Sequence, residues 1–498
     1  MSETPTPPAV PLPPRPARGA EIELTMEAFA DRGKSLARLG EGDSGYVVFV
    51  AGAVPGDRVR VRIQKRKRSF AEARLLELIE PSPLRVVPRC RYAQPCGGCK
   101  WQHVAYSAQL EMKREAVESA LTRLGGIDLA AHGVSVAPTL GADHAEGSGG
   151  IYLYRNKMEF SFSTGRWLTD DEVASGETFD RDFALGLHAP GRFDKVLDLH
   201  ECHLQSTWSA RLVNGMRELA KANGWTPWDA RATRGFLRHL VIRQAAHTDD
   251  RMVNLVTSAH DPERLAIVEA WLRADFPEAT TFVNTINSGP AQTAFGEAMH
   301  VVFGPGTIRD KIGAHTFEIA SNAFFQTNTV QAERLYAVAA EMAGLQPTDL
   351  LYDLYCGAGT ISLFMADRVQ RVVGVELIEE AVENARVNAV ANGVANTTFV
   401  AGDMLKLFTG AFVEEHGRPD VLVVDPPRAG MHPKVVGQLA ALAPERLVYV
   451  SCNPRTQAED LAKLLEATDY QVTGVQPVDM FPHTHHVESV VGLRRKGA

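Results

Sequence analysis

The tightest constraint on this chain is the run DLLYDLYCGAGTISLFMA around residue 355, where an apolar strand enters a glycine-rich turn and then a helix. From about residue 311 the sequence alternates apolar strands with helices, the mark of a parallel α/β sheet. Its successive strands end in chemically distinctive residues. RVVGVE ends at Glu376 and TTFVAGD at Asp403, VLVVDPPRAG turns at Asp425-Pro426-Pro427-Arg428, and LVYVSCNPR turns at Cys452-Asn453-Pro454-Arg455. Ligands of open α/β sheets bind outside the carboxyl ends of the strands. Glu376, Asp403, Asp425 and Cys452 are therefore expected around one crevice.

The turn Cys356-Gly357-Ala358-Gly359 lets the backbone approach a ligand closely, and a helix opens near Thr360. An acid such as Glu376, at the end of the second strand, can bind two ribose hydroxyls. The dinucleotide fingerprint is incomplete, because Thr360-Ile361-Ser362 follows without a third glycine. An adenosine ligand lacking a pyrophosphate fits better than NAD, and Asp403 is placed for the adenine edge. In this order the residues point to S-adenosylmethionine.

In amino-group methyltransferases acting on adenine, an aromatic residue usually follows the acid-Pro-Pro sequence. Here Arg428 follows, and a cysteine lies one strand later. Uracil C5 becomes nucleophilic only after addition at C6, which suits a thiolate such as that of Cys452. Arg455 is the cation expected to favour that thiolate. Release of the C5 proton needs a base, and Glu488 in MFPHTHHVESVV is the residue placed for it. The turn with His483, His485 and His486 reads equally as a metal site or a packed loop. A buried, inert thiol is the alternative for Cys452, but Asn453 and Pro454 favour a shaped loop; Cys356 reads as packing. Gln326 in SNAFFQTN either reads an amide edge, touches the cofactor or caps a helix.

Upstream the chain changes character. Residues 1–17 form a proline-rich tail, expected to be disordered. Residues 18–80 show short alternating runs, the pattern of a small β unit. One run carries Arg58, Arg60 and Arg62 on one strand face and continues into Lys65–Arg68. It reads equally as a phosphate-contacting surface or as a charged, solvated edge. Residues 81–310 form a central region with an amphipathic helix over 104–124, expected to pack on the last domain, residues 311–498. Between about 150 and 310 strand-like and helix-like runs follow no pattern. The net charge of −8 argues only weakly against a nucleic-acid partner, since local basic patches survive in an acidic chain. No apolar run is long enough to span a bilayer and no secretory signal opens the chain, so a cytoplasmic protein without membrane contact is expected.

Cys90, Cys96 and Cys99 cluster in CRYAQPCGGCKWQH, and Cys202 in VLDLHECHLQ supplies a fourth thiol. In a cytosolic chain this spacing suggests a metal site rather than disulfides. Four thiolates suit zinc or an iron–sulfur cluster, and Gly97-Gly98 tilt the choice towards iron–sulfur.

Taken together, FFQTN, DLYCGAGT, DPPRAG, SCNP, HTHHVES and the cysteine run resemble the RNA uracil-C5 methyltransferase family, over nearly the whole chain after the tail. The resemblance implies a class I, Rossmann-like S-adenosylmethionine domain. It further implies an N-terminal OB-like TRAM barrel and a central α+β domain with a [4Fe-4S] cluster on Cys90, Cys96, Cys99 and Cys202. Cys452 is then the nucleophile and Glu488 the base, while Gln326, Tyr355, Gly357, Gly359, Thr360, Glu376, Asp403 and Asp425 bind cofactor or substrate base. Members with both TRAM and cluster often act on 23S rRNA, so that RNA is the expected partner, with tRNA the alternative. Two rivals remain at this point: a cytosine-C5 RNA methyltransferase and a non-catalytic RNA-binding or redox-sensing iron–sulfur protein.

Overall fold

Period-two alternation in the first 80 residues produces a sheet with one dry face. In the computed structural model, which describes residues 15–40 and 45–497, strands Glu21–Thr25, Arg58–Arg66, Phe70–Glu80, Tyr46–Ala51, Lys34–Leu39 and Ala28–Phe29 adjoin in that order. Residues 1–14 of the proline-rich tail lie outside the described residues. Val59, Val61 and Ile63 point inward with Leu24, Val48 and Val50. The alternate residues Arg58, Arg60 and Arg62 therefore face solvent, and register sets acids across from them. Arg62 pairs with Glu21 at 2.6 Å, Arg60 with Glu23 at 3.3 Å and Glu77 at 2.8 Å, and Arg58 with Glu80 at 2.9 Å. The strand lies between Glu21–Thr25 and Phe70–Glu80 rather than at the edge of the sheet, and its arginine face is solvated and charge-compensated. Lys65, Arg66, Lys67 and Arg68, at the hairpin end, are exposed.

This sheet belongs to a first compact unit that also takes in Gly98–Met112 and His483–His485. Within it the buried Trp101 donates its backbone N–H to the His483 carbonyl at 2.9 Å and its indole N–H to Gly33 at 3.2 Å. Gln109 accepts the His483 N–H at 2.9 Å. These bonds pack the backbone of the histidine turn within the unit.

Among the described residues the second unit holds two large sheets and two two-stranded ones, Thr307–Ile312 with His315–Ala320 and His144–Glu146 with Gly150–Tyr152. One has eight strands in the order Arg166–Trp167, Val196–Asp198, Ala184–His188, Lys157–Ser163, Leu237–Gln244, Arg251–Thr257, Thr281–Ile286 and Ala298–Phe303. Leu237–Gln244 is buried along nearly its whole length, including Arg238, His239 and Arg243. The two arginines are held by carbonyls: Arg238 donates to Asn287 at 2.8 Å and Arg243 to Ser321 at 3.3 Å.

The other sheet has seven strands in the order Thr397–Ala401, Arg371–Glu376, Leu350–Leu354, Val421–Val424, Arg446–Ser451, Glu488–Arg495 and Tyr470–Val478. The first five run parallel, while Glu488–Arg495 pairs antiparallel with both of its neighbours. Tyr352, Leu422 and Tyr449 from these strands share a core with Val117 and Leu121 and with Leu461 of the helix Pro454–Ala467. The helix Tyr106–Ser119 is tied to the same region by a buried ion pair, Lys113 to Asp479 at 2.5 Å. Among the described residues no helix is long and apolar enough to cross a membrane.

Candidate active site

The strand Leu350–Leu354 delivers the chain into a turn that L-residues rarely adopt. Tyr355 has φ +67°, and its N–H and that of Cys356 both donate to the Val375 carbonyl, at 2.9 and 3.1 Å. Such a conformation costs a non-glycine residue on the order of 1–2 kcal/mol and is usually retained at functional turns. Gly357 and Gly359 follow with φ +54° and +79°. The two glycines serve different ends. A Cβ on Gly359 would meet Phe399 at 3.0 Å, whereas one on Gly357 would meet nothing within 4 Å. Gly359 permits close packing, and Gly357 leaves open ground where a ligand can lie.

Glu376 closes this ground. Its carboxylate accepts the N–H groups of Gly357 at 3.1 Å, Leu377 at 2.8 Å and Ile378 at 3.1 Å, which fixes its orientation. Asp403 caps the helix Met404–Leu407 through the Leu405 N–H at 3.0 Å. Thr360 opens the next helix and shares a hydrogen bond of 3.1 Å with the buried Tyr336 hydroxyl. Burial pushes the Tyr355 phenol up to about 12. The cradle thus combines glycine backbone, a fixed acid and half-buried polar groups, a set that fits an adenosyl ligand.

Strand register brings Cys452 and Glu488 to the same end of the sheet. Ser451 faces Ser489 across the antiparallel pair, so the next residue of one strand, Cys452, meets the preceding residue of the other, Glu488. Burial and the neighbouring Glu488 push the Cys452 thiol up to about 11, while Arg428 opposes the rise by charge and by a side-chain hydrogen bond. Glu488 is buried, and burial followed by Asp425 raises its carboxyl to about 8. Asp425 is raised to about 7 by burial and by Asp353. Three facing groups thus hold protons near neutrality, as acid–base sites often do.

One expectation changes. Arg455 is not the cation beside the thiol: it is exposed and pairs with Glu459 at 3.3 Å. Arg428 takes that place, because Asn453 donates to the Arg428 carbonyl at 2.8 Å and ties the two strand-end loops together. A sequence signal existed, since Arg428 stands where an aromatic residue would serve amino-group chemistry. Gln326 is half-buried, and its carbonyl accepts from Asn156 at 2.7 Å. The neighbouring Asn328 caps the helix Thr329–Ala343.

Sequence reasoning missed Asp353 and Tyr336. Asp353 is fully buried; it accepts the Ser362 hydroxyl at 2.6 Å, and burial raises it to about 7. Within a strand of apolar neighbours it carried no pattern of its own. Cys356 is buried and its thiol is held far above the usual range, in keeping with packing.

Comparison with known proteins agrees with this geometry. A family model described as tRNA (Uracil-5-)-methyltransferase matches residues 307–496, and a TRAM domain model matches residues 16–76. An RNA methyltransferase of Bacteroides thetaiotaomicron is 42% identical over 468 residues, covering 93% of this chain and 99% of the relative. One from Chlorobaculum tepidum is 42% identical over 483 residues, covering 96% and 97%. The crystal structure of Pyrococcus abyssi tRNA (uracil-54, C5)-methyltransferase with S-adenosyl-L-homocysteine superposes with a TM-score of 0.70 at 27% identity, covering 95% of this chain and 100% of that one. The glycine cradle, the thiol facing a buried carboxyl and these likenesses lead to one conclusion: the chain belongs to the RNA (uracil-5-)-methyltransferase family and is an S-adenosylmethionine-dependent enzyme of it, preceded by a TRAM domain.

Proposed function

We propose that the enzyme methylates C5 of a uridine through a covalent Cys452–C6 adduct. The observation that carries this reading is the register that sets Cys452 against Glu488, with Arg428 beside the thiol. Cys452 passes its proton to water and adds to C6 as the thiolate, and the C5 side becomes an enolate. Bound S-adenosylmethionine supplies the methyl group and a positive charge. Glu488, ionised, then takes the C5 proton, and elimination of the thiolate restores the ring. Arg428 holds the thiolate, and Asp425 lies within the electrostatic reach of both reacting groups. Gln326, Tyr355, Gly357, Gly359, Thr360, Glu376 and Asp403 hold the cofactor or the base. The target uridine has to leave any stack to reach this crevice.

The substrate we favour is 23S rRNA, on the combination of TRAM domain and cysteine cluster. A tRNA substrate is the second reading. It is favoured by the Pyrococcus abyssi tRNA enzyme, whose likeness extends over 95% of this chain and so does not separate the two by architecture. Cys90, Cys96, Cys99 and Cys202 are the donor set for a [4Fe-4S] cluster. Four thiols, two of them flanking Gly97-Gly98, with Cys99 buried and the others half-buried, suit one chemically. Iron and acid-labile sulfide in anaerobically purified protein test that assignment, and a Cys99→Ala protein tests its task. Lost RNA affinity with an intact fold indicates positioning, and unfolding indicates a structural role.

Tritium release tests the reaction and the substrate together. RNA labelled with [5-³H]uridine, taken from cells lacking the enzyme and split into rRNA and tRNA, is expected to release tritium to water with S-adenosylmethionine, chiefly from the rRNA. Release from tRNA alone would select the second reading. Methyl incorporation without tritium release would contradict C5 chemistry.

A further inference from the structure

The eight-stranded sheet carries a cleft that the methyl-transfer site does not use. Lys157, Glu159, Asn254 and Thr285 project into it from the strands, and Phe295 and Asn322 line it from loops. Its free space is about 210 Å³. Sites for drug-sized ligands begin at roughly 300 Å³, so this cleft suits one planar ring rather than a whole cofactor.

Its chemistry is directional. Asn254 is only 2% exposed, yet its Oδ1 has no hydrogen-bond partner among the described residues. A buried acceptor without a donor is an unfavourable state that a ligand N–H would relieve. Glu159, paired with Lys157 at 2.5 Å, keeps 42% of its side chain exposed and adds a second acceptor. Phe295 is 58% exposed, a large apolar ring with no fold-level reason to face water. An aromatic face beside hydrogen-bond acceptors is how proteins hold an unstacked base.

The cleft is also joined to the reacting centre. Asn322 donates to Glu380 at 3.1 Å, at the start of the helix Glu379–Ala391, which follows Glu376. It lies on the same loop as Gln326, separated by at most ~14 Å of extended chain.

We propose that this cleft is a second base subsite, taking one unpaired base of the substrate strand near the target uridine. The site favours a base with an exocyclic amino group, as cytosine and adenine carry, because its two N–H groups can meet the Asn254 Oδ1 and the Glu159 carboxylate together. Uracil offers the single N3–H donor, satisfies one acceptor only and binds more weakly. The inference rests on RNA as the substrate, and not on the covalent step.

Fluorescein-labelled single-stranded heptamers of C, A or U, bound to the full-length enzyme and followed by anisotropy, test it. Phosphate contacts are common to all three, so their difference isolates the base. The enzyme is expected to bind the C heptamer about tenfold tighter than the U heptamer. Phe295→Ala, a surface change, should weaken C and A binding about tenfold. Asn254→Leu should level C with U. Equal affinity of the wild type for C and U, or an unchanged Phe295→Ala protein, would overturn the subsite. Tritium release in the same preparations separates the two claims. Release with no heptamer preference sinks the subsite and leaves the reaction standing, whereas preference without release does the reverse.

Discussion

At the scale of single residues, the thiol and its neighbours form a proton-holding group. The Cys452 thiol stands near 11, and Glu488 near 8. In the proposed mechanism Glu488 must be ionised to act as the base, so tritium release should climb between pH 6 and about pH 8. A flat profile across that range would contradict its role. Glu488→Gln should lower turnover by roughly 10²–10⁴-fold. Because elimination waits on the C5 proton, the same variant should accumulate a methylated covalent protein–RNA complex on denaturing gels. Arg428→Ala should slow adduct formation about tenfold, since the thiol loses its cation; Arg455→Ala should not. Asp353 belongs to stability. Its folded value near 7 lies above its ordinary 3.8, so its contribution is full below pH 3.8 and lost as pH rises through 7. The stability of Asp353→Asn relative to wild type should therefore rise between pH 4 and 8, by on the order of 1–3 kcal/mol, as read by denaturant melts.

At the scale of elements, the two glycines of the cofactor turn should separate packing from binding. Gly359→Ala combines a positive φ with a contact to Phe399 at 3.0 Å, so it should lower stability by about 2 kcal/mol in urea melts. Gly357→Ala carries the φ strain but no clash. Its main effect should be weaker S-adenosylmethionine binding by calorimetry, about tenfold or more, because its methyl group enters the cradle. The parallel sheet was legible because each strand was an apolar run ending in an acid or a cysteine. The pairing of Cys452 with Glu488 was not legible from pattern. It depends on a carboxy-terminal strand folding back antiparallel between two others, which local periodicity does not encode. Residues 150–310 stayed opaque for a related reason. Leu237–Gln244 is buried on both faces yet carries Arg238, His239 and Arg243, so neither alternation nor a clean apolar run survives in it. The choice of Arg428 over Arg455 required knowing which strand-end loop bends over the thiol.

At the scale of the whole molecule, the net charge of −8 leaves RNA affinity to local patches. In the amino-terminal sheet Arg58, Arg60 and Arg62 are matched by Glu80, Glu77, Glu23 and Glu21. The exposed Lys65–Arg68 turn is the part of that surface able to exchange counterions. Lys67→Gln with Arg68→Gln should therefore reduce the salt slope of RNA binding by about 2, roughly one for each phosphate contact removed. Arg60→Gln should leave the slope unchanged.

The central claim is the cysteine adduct, and its most direct test is incubation of the enzyme and S-adenosylmethionine with 5-fluorouridine-containing RNA. Fluorine at C5 cannot leave as a proton does, so wild type is expected to stall as a band of RNA-shifted mobility on a denaturing gel, and Cys452→Ala to show none. Wild-type enzyme that binds this RNA, methylates the unfluorinated form and yet forms no stable complex would contradict the account.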